Sequence, residues 1–183
     1  NKLAELSIHL SSFEEILSQT LKLMRKALNY HVGMLYLDAF SQPRIHVDRV
    51  GAVHQASIDE MLAKMSEAAA RTWLSLSERT WTVQDVEGSQ PPVTDPRAMI
   101  ACFASQPLVV RGKLLGLIGL GGTPELVSEE SLAVLKVFAE AAAIVLDSAI
   151  LYRTLDDSFL QLKRMEAEIC EKNSQNISKS FLR

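Results

Sequence analysis

Few residues in this 183-residue chain have a type and spacing that could do chemistry. Its two cysteines, Cys102 and Cys170, lie far apart in segments of different character, so neither a disulfide framework nor a zinc site is expected. His31, His46 and His54 form no HxxxH or HxH pair, and no carboxylate cluster accompanies them. Haem or metal ligation therefore has no spacing to rest on, and surface or satisfied histidines account for the three. No catalytic residue and no metal ligand is assigned. The segment Thr80–Val86 (TWTVQDV) offers more, because strand alternation places Trp81, Val83 and Asp85 on one face. An indole face supplies cation–π contact of about 0.5–2 kcal/mol and a carboxylate supplies a charge-assisted hydrogen bond. That pairing suits a small, partly polar or cationic ligand. The competing reading has Trp81 filling the core and Asp85 anchoring the loop that follows.

Composition sets the class. Hydrophobic residues make up 48% and charged residues 22%, too apolar for a disordered chain and enough for one α/β domain with an attachment. A net charge of −3 leaves no basic excess for nucleic acid or for an anionic membrane surface. No apolar run approaches the length of a membrane helix, and the N-terminus lacks a signal-peptide pattern, so a cytoplasmic location is expected. The sequon Asn176-Ile177-Ser178 carries no weight without a secretion signal. A start at Asn1 and a helical pattern running to the last residues suggest a segment of a longer protein.

The elements that must position these residues follow from periodicity. Leu3, Leu6, Leu10, Phe13, Leu17, Leu21, Met24 and Leu28 recur at helical steps, and Ser12 with Glu15 has capping-box spacing, so a break near Ser11 is expected. Val32–Asp38 and Arg44–Val53 read as a hairpin. Ser57 with Glu60 marks the start of a helix over 57–77, and Thr80–Val86 is strand three. The proline-rich stretch 88–96 is a long loop of the functional kind, with a helical turn at Asp95–Ile100. Ala101–Val110 and Leu114–Gly121 flank the tight turn Arg111-Gly112-Lys113, with Pro107 requiring a bulge or an edge. Ser128 caps a last helix running to about 175, spanning about 70 Å. Up to Leu151 this helix is rich in small residues suited to packing on a sheet. Beyond it, Leu151, Leu155, Ser158, Leu162, Met165 and Ile169 alternate steps of four and three, a coiled-coil seam that Ser158 and Lys172 weaken.

These residues carry a resemblance. Ser105-Gln106-Pro107-Leu108 to Arg111-Gly112-Lys113, followed by Leu115-Gly116-Leu117-Ile118-Gly119-Leu120, resembles the hairpin of the GAF family. Ser128-Glu129-Glu130 with Leu135, Phe138-Ala139 and the alanine run resembles its closing helix, and Asp85 matches a common family position. The resemblance covers about 13–152. It implies an α+β sandwich with a central antiparallel sheet of five to six strands. The terminal helices lie on one face, and a ligand pocket lies under helices and loop on the other. The chain then divides into an N-terminal helical arm (1–12), a GAF-like sensory domain (13–152) and a coiled-coil signalling stalk (153–183). Such domains precede histidine kinases, diguanylate cyclases, phosphatases or transcriptional activators and pair as homodimers through their terminal helices.

Within that resemblance the pocket set is Tyr36, Arg49, Trp81, Asp85, Arg97, Cys102 and Ser105. Bilin-binding relatives pair their cysteine with a neighbouring histidine, whereas Phe103 follows Cys102, and a small buried hydrophobe is the plainer account of that cysteine. Relatives that reduce methionine sulfoxide use several cysteines within the domain; this one offers Cys102. The Asn-Lys start of the cyclic-nucleotide constellation is absent, and the approach to the closing helix reads Leu126-Val127-Ser128-Glu129-Glu130, which disfavours cyclic GMP. No cofactor is implied. The readings are a small-molecule-sensing regulatory module, a structural dimerisation module whose pocket is empty or plugged by Trp73, Trp81 or Met99, and, last, a sulfoxide-reductase-like enzyme.

Overall fold

The computed structural model describes residues 2–38, 43–72 and 82–181, with side chains over 13–38, 43–71 and 82–173. Helix α1 (Lys2–Ala27) leads into strands β1 (Val32–Leu37) and β2 (Arg44–Arg49), helix α2 (Gln55–Thr72) and strand β3 (Thr82–Asp85). A 3-10 turn (Pro96–Ala98) precedes strands β4 (Cys102–Val110) and β5 (Lys113–Gly122), and helix α3 (Glu129–Phe181) closes the chain.

The strands form one five-stranded sheet in the order β3-β2-β1-β5-β4. Three of the pairings are antiparallel, as expected, but β3 runs parallel to β2, making the sheet mixed. The cause is α2, which carries the chain from one end of β2 back to the other, and such a crossover returns the next strand in the same direction. At the opposite edge, β4 accommodates the exposed Pro107 in both ways anticipated, as an edge strand with a register shift between Leu108 and Val109. Its hairpin to β5 turns on Arg111 (φ 50°) and Gly112 (φ 75°), the pair of positive φ angles that matches strand twist in a two-residue loop.

Each face of the sheet is covered. On one, Val32, Met34, Tyr36, Ile45, Val47 and Leu117 join Ile58, Met61, Met65 and Ala69 of α2 in a single buried cluster. A Cβ at Gly121 would lie 2.7 Å from Met61 Sδ, so glycine on β5 leaves the space that the Met61 side chain of α2 fills. On the other face, Met24 and Tyr30 pack over Gly33. Phe13, Leu17, Leu21 and Met24 of α1 are nearly inaccessible, as are Leu135, Ala139, Ala143 and Leu146 of α3 at helical spacing. The two helices are neighbours there, Val145 sharing a groove with Ile16, Thr20 and Leu23.

Several boundaries depart from expectation. Helix α1 passes through Ser11 and Ser12 unbroken, because the apolar step from Leu6 through Leu10 and Phe13 to Leu17 is uninterrupted and a serine caps only where the chain leaves helical geometry. Helix α2 starts two residues before Ser57. His54 caps it instead, its Nδ1 accepting from the Ala56 amide at 3.1 Å, which frees Ser57 to bind the later loop. Helix α3 has the predicted cap, with the Ser131 amide donating to Ser128 Oγ (3.3 Å) and the Ser128 amide to Ser131 Oγ (2.9 Å). Contacts divide the chain into one unit up to Asp147 and a second from Ser148 onward.

Candidate functional site

Register decides which of the expected pocket residues meet. Tyr36 pairs with Leu117, and Ser105 and Phe103 pair with Gly119 and Gly121, which puts all of them on the α2 face together with Arg49 and Asp85. Cys102 pairs with Gly122, one step out of phase with Phe103, so alternation along β4 assigns it to the opposite face from Ser105. Arg97 is exposed in the 3-10 turn, whose cap is Asp95 Oδ1 accepting from the Arg97 amide at 2.9 Å. Trp81 and Trp73 lie outside the described residues.

Arg49 and Asp85 are partners. Nη2 of Arg49 lies 2.6 Å from Asp85 Oδ2; the arginine side chain is 7% exposed and the aspartate 56%. Arg49 Nε also donates to the Gln90 carbonyl, and the Arg49 amide donates to Ser89 Oγ at 2.8 Å. One side chain thus fastens β2, β3 and the following loop together. The rest of that loop is tied down as well. The Val93 amide donates to the Val53 carbonyl, the His54 amide to the Ala98 carbonyl, and the Ile100 amide to Ser57 Oγ, each at 2.9 Å. Beneath it, Tyr36 and Met65 are fully buried and Met61 nearly so. Met99 is half exposed. The cleft between α2 and the start of β4 holds about 10 Å³, room for at most one water. Among the described residues, then, the α2 face is packed by side chains and latched by Arg49.

The latch makes a prediction. Asp85→Ala is expected to cost about 1–2 kcal/mol, because the buried guanidinium keeps the Gln90 carbonyl but loses its carboxylate. Urea denaturation checks it. An unchanged midpoint would show that Asp85 is free to serve a ligand.

The opposite face carries ionisable groups of which sequence reasoning weighed only His46, and that as a metal or haem ligand. Asp48 is wholly buried and accepts from Arg25 Nε (3.0 Å), Arg25 Nη2 and the Tyr30 hydroxyl (2.8 Å). The hydrogen bond to Asp48 raises the Arg25 pKa. Burial, then the charge of Asp48, push the Tyr30 hydroxyl far above the ordinary phenol range, so it stays a donor. Nearby, Arg44 pairs with Glu14, whose second oxygen lies 3.7 Å from His46 Nε2. The signal was present: Arg44, His46 and Asp48 alternate with Ile45 and Val47, so three ionisable residues share one face of a central strand, and Glu14, Ser18 and Arg25 recur on one side of α1.

His46 is buried, which lowers its pKa; Glu14 opposes the shift and Arg44 reinforces it. A folded-state pKa below the ordinary 6.5 means that the contribution to stability is complete above that value and is lost as pH falls through the folded pKa. Between about pH 7 and about pH 5, the unfolding free energy of the parent should therefore fall more steeply than that of His46→Gln. Equal slopes would show that His46 takes up no proton linked to unfolding.

Residues 11–147 match the GAF domain family. The chain belongs to that family. The order of helices and strands expected from the resemblance is the one observed, and GAF domains are in general sensory or regulatory modules without catalytic activity. No curated protein and no solved structure matches the chain significantly. Among the described residues of this GAF domain protein, no three His, Cys, Asp or Glu side chains group as a metal site would require. None of the described helices is long and apolar enough to cross a membrane.

Proposed function

We propose that this GAF domain protein is a regulatory module that works as a parallel homodimer and passes a signal along paired α3 helices to an output domain in the cytoplasm. One observation carries the reading. Val134, Val137, Ile144, Leu151, Leu155, Leu162, Met165 and Ile169 are all exposed large hydrophobics, and they occupy a and d positions of one unbroken heptad register. The register thus begins well before Leu151. Tyr152 (72% exposed) and Phe159 (56%) widen the stripe. Ser158, at a seam position, donates to its own Thr154 carbonyl at 2.9 Å, so it weakens the seam without leaving an unmet hydroxyl. A second copy of the same helix is the occupant that repeats this spacing, and the apolar groove between α1 and Val145 extends the same kind of surface.

A small molecule on the α2 face would have to displace Met61, Met65 or Phe103, all flexible or edge-packed, and break the Arg49 latch. Input at Tyr36, Arg49, Asp85 and Ser105 is accordingly proposed as a gated event, with release of the loop as its consequence. The packing also supports the alternative of a dimerisation module with no ligand there. Sedimentation velocity of the chain, and disulfide cross-linking of Leu162→Cys with Cys102 and Cys170 replaced by Ser, test the dimer. Monomer at tens of micromolar removes the reading, and a dimer that fails to cross-link removes its parallel arrangement.

A further inference from the structure

A cavity of about 460 Å³ lies on the face opposite α2, between α1 and the edge formed by β2 and β3. Glu14 and Ser18, one turn apart on α1, face it with His46 of β2. Three atoms there are buried and have no hydrogen-bond partner among the described residues: Glu14 Oε2, Ser18 Oγ and His46 Nε2. His46 as a whole is 3% exposed. Buried polar atoms left unmet are costly, and three together around one cavity are uncommon.

We propose that this cavity binds a small primary ammonium compound, whose three N–H groups are met by Glu14 Oε2, Ser18 Oγ and His46 Nε2. The chemistry of the three atoms selects the ligand. A carboxylate oxygen only accepts, a hydroxyl accepts readily, and a neutral imidazole presents one nitrogen as an acceptor. Burial favours that neutral form of His46. An ammonium group has three donors and no acceptor, so it satisfies all three atoms at once. The surrounding charge agrees. Glu14, Glu15, Asp85 and Glu87 line the cavity with Lys22. Lys22 is paired with Glu87 (3.2 Å), while Arg44 and Arg49 reach Glu14 and Asp85 from outside the lining. Four carboxylates thus meet three fixed cations, leaving room for one more positive charge. The volume is that of a small-metabolite site. Arg44 holds the Glu14 carboxylate by its other oxygen and aims Oε2 inward. Of the residues placed on the α2 face only Asp85 also lines this cavity, and none of the three acceptor atoms belongs to that face or to the helix seam, so the test does not depend on either.

The test uses the whole chain with butane-1,4-diamine and ethanolamine as probes, tetramethylammonium and inorganic phosphate as controls, titration calorimetry as one readout and imidazole nitrogen NMR as the other. Saturable binding of an amine at millimolar concentration or below is expected, moving the one imidazole signal that His46→Gln removes. Tetramethylammonium, which has no N–H, should not compete. Ser18→Ala, which keeps the helix, should weaken binding about tenfold, and Glu14→Gln should weaken it further. No saturable binding, binding that moves no His46 signal, equal binding of tetramethylammonium, or unchanged affinity in Ser18→Ala would each overturn the proposal. So would a crystal grown with the diamine that shows only a water bridging the three atoms.

Discussion

Replacing Leu155 and Leu162 together with Glu is expected to leave a folded monomer. The two leucines are 66% and 58% exposed, and both lie beyond Asp147 in the second unit, so the substitutions leave the buried residues of the first unit unchanged. In a parallel pair each sits at an a position against its own copy. Two substitutions per chain withdraw four leucines from the interface, each worth about 1.5–3 kcal/mol when fully buried, and set glutamates of like charge against each other. Dissociation should strengthen by at least about a thousandfold. Sedimentation velocity reports the loss of the dimer, and circular dichroism with thermal unfolding reports the retained fold. A variant that sediments as the parent does would place the interface elsewhere; an unfolded variant would mean that the monomer has no independent stability. The single change Ser158→Leu, which replaces a polar residue in the same seam, should move the equilibrium the other way.

The fold was legible where one physical rule acted alone. The β4–β5 hairpin was written in Arg111-Gly112 and the glycine spacing of β5, and the cap of α3 in Ser128. Strand and helix order followed from the change between two-residue and helical periods. Where two rules competed, the local one lost. The capping-box spacing at Ser12 was overridden by a continuous apolar face, and that at Ser57 by His54, because a serine side chain is equally able to cap a helix or to bind a loop that arrives from forty residues later. The direction of β3 was recoverable in principle: once α2 is placed between two strands, a parallel return is the ordinary outcome.

The candidate site was less legible, and the reason is the sheet register. Alternation along β4 alone separates Cys102 from Ser105 three residues on, whereas only pairing across strands says that Ser105 shares a face with Tyr36, Arg49 and Asp85. Nor does sequence distinguish a carboxylate offered to a ligand from one already held by Arg49. The apolar residues expected along α3 from Leu151 onward are exposed. Ile144 was assigned with the neighbouring alanines to packing on the sheet but is 60% exposed, and Val134 and Val137 were overlooked, because a helix has more than one face to spend.

Asp48→Ala should be the most damaging single change in the domain, at about 3 kcal/mol. Asp48 sits on a strand flanked on both sides, is wholly buried, and accepts three hydrogen bonds from two groups on α1 and the turn after it. Removing the carboxylate leaves the Tyr30 hydroxyl with the Leu21 carbonyl at 3.1 Å and leaves Arg25 facing a buried wall without its counter-charge. Breaking one side of a buried pair typically costs about 3–5 kcal/mol, and the 32% exposure of the Arg25 side chain allows partial rehydration that trims the figure. For a unit of this size the melting temperature should fall by roughly 10 °C. Asp48→Asn keeps the shape and one acceptor and should cost about half as much. The informative comparison is the double change Arg25→Met with Asp48→Leu. Replacing both partners by apolar groups of similar volume is often nearly neutral, so this variant should be more stable than Asp48→Ala alone. If Asp48→Ala instead unfolds within about 0.5 kcal/mol of the parent in urea, the network does not hold α1 to the sheet. If the double variant is the worse of the two, the pair contributes net attraction beyond the relief of an unmet charge, and α1 is fastened to β2 chiefly by electrostatics rather than by the apolar contacts of Leu17, Leu21 and Met24.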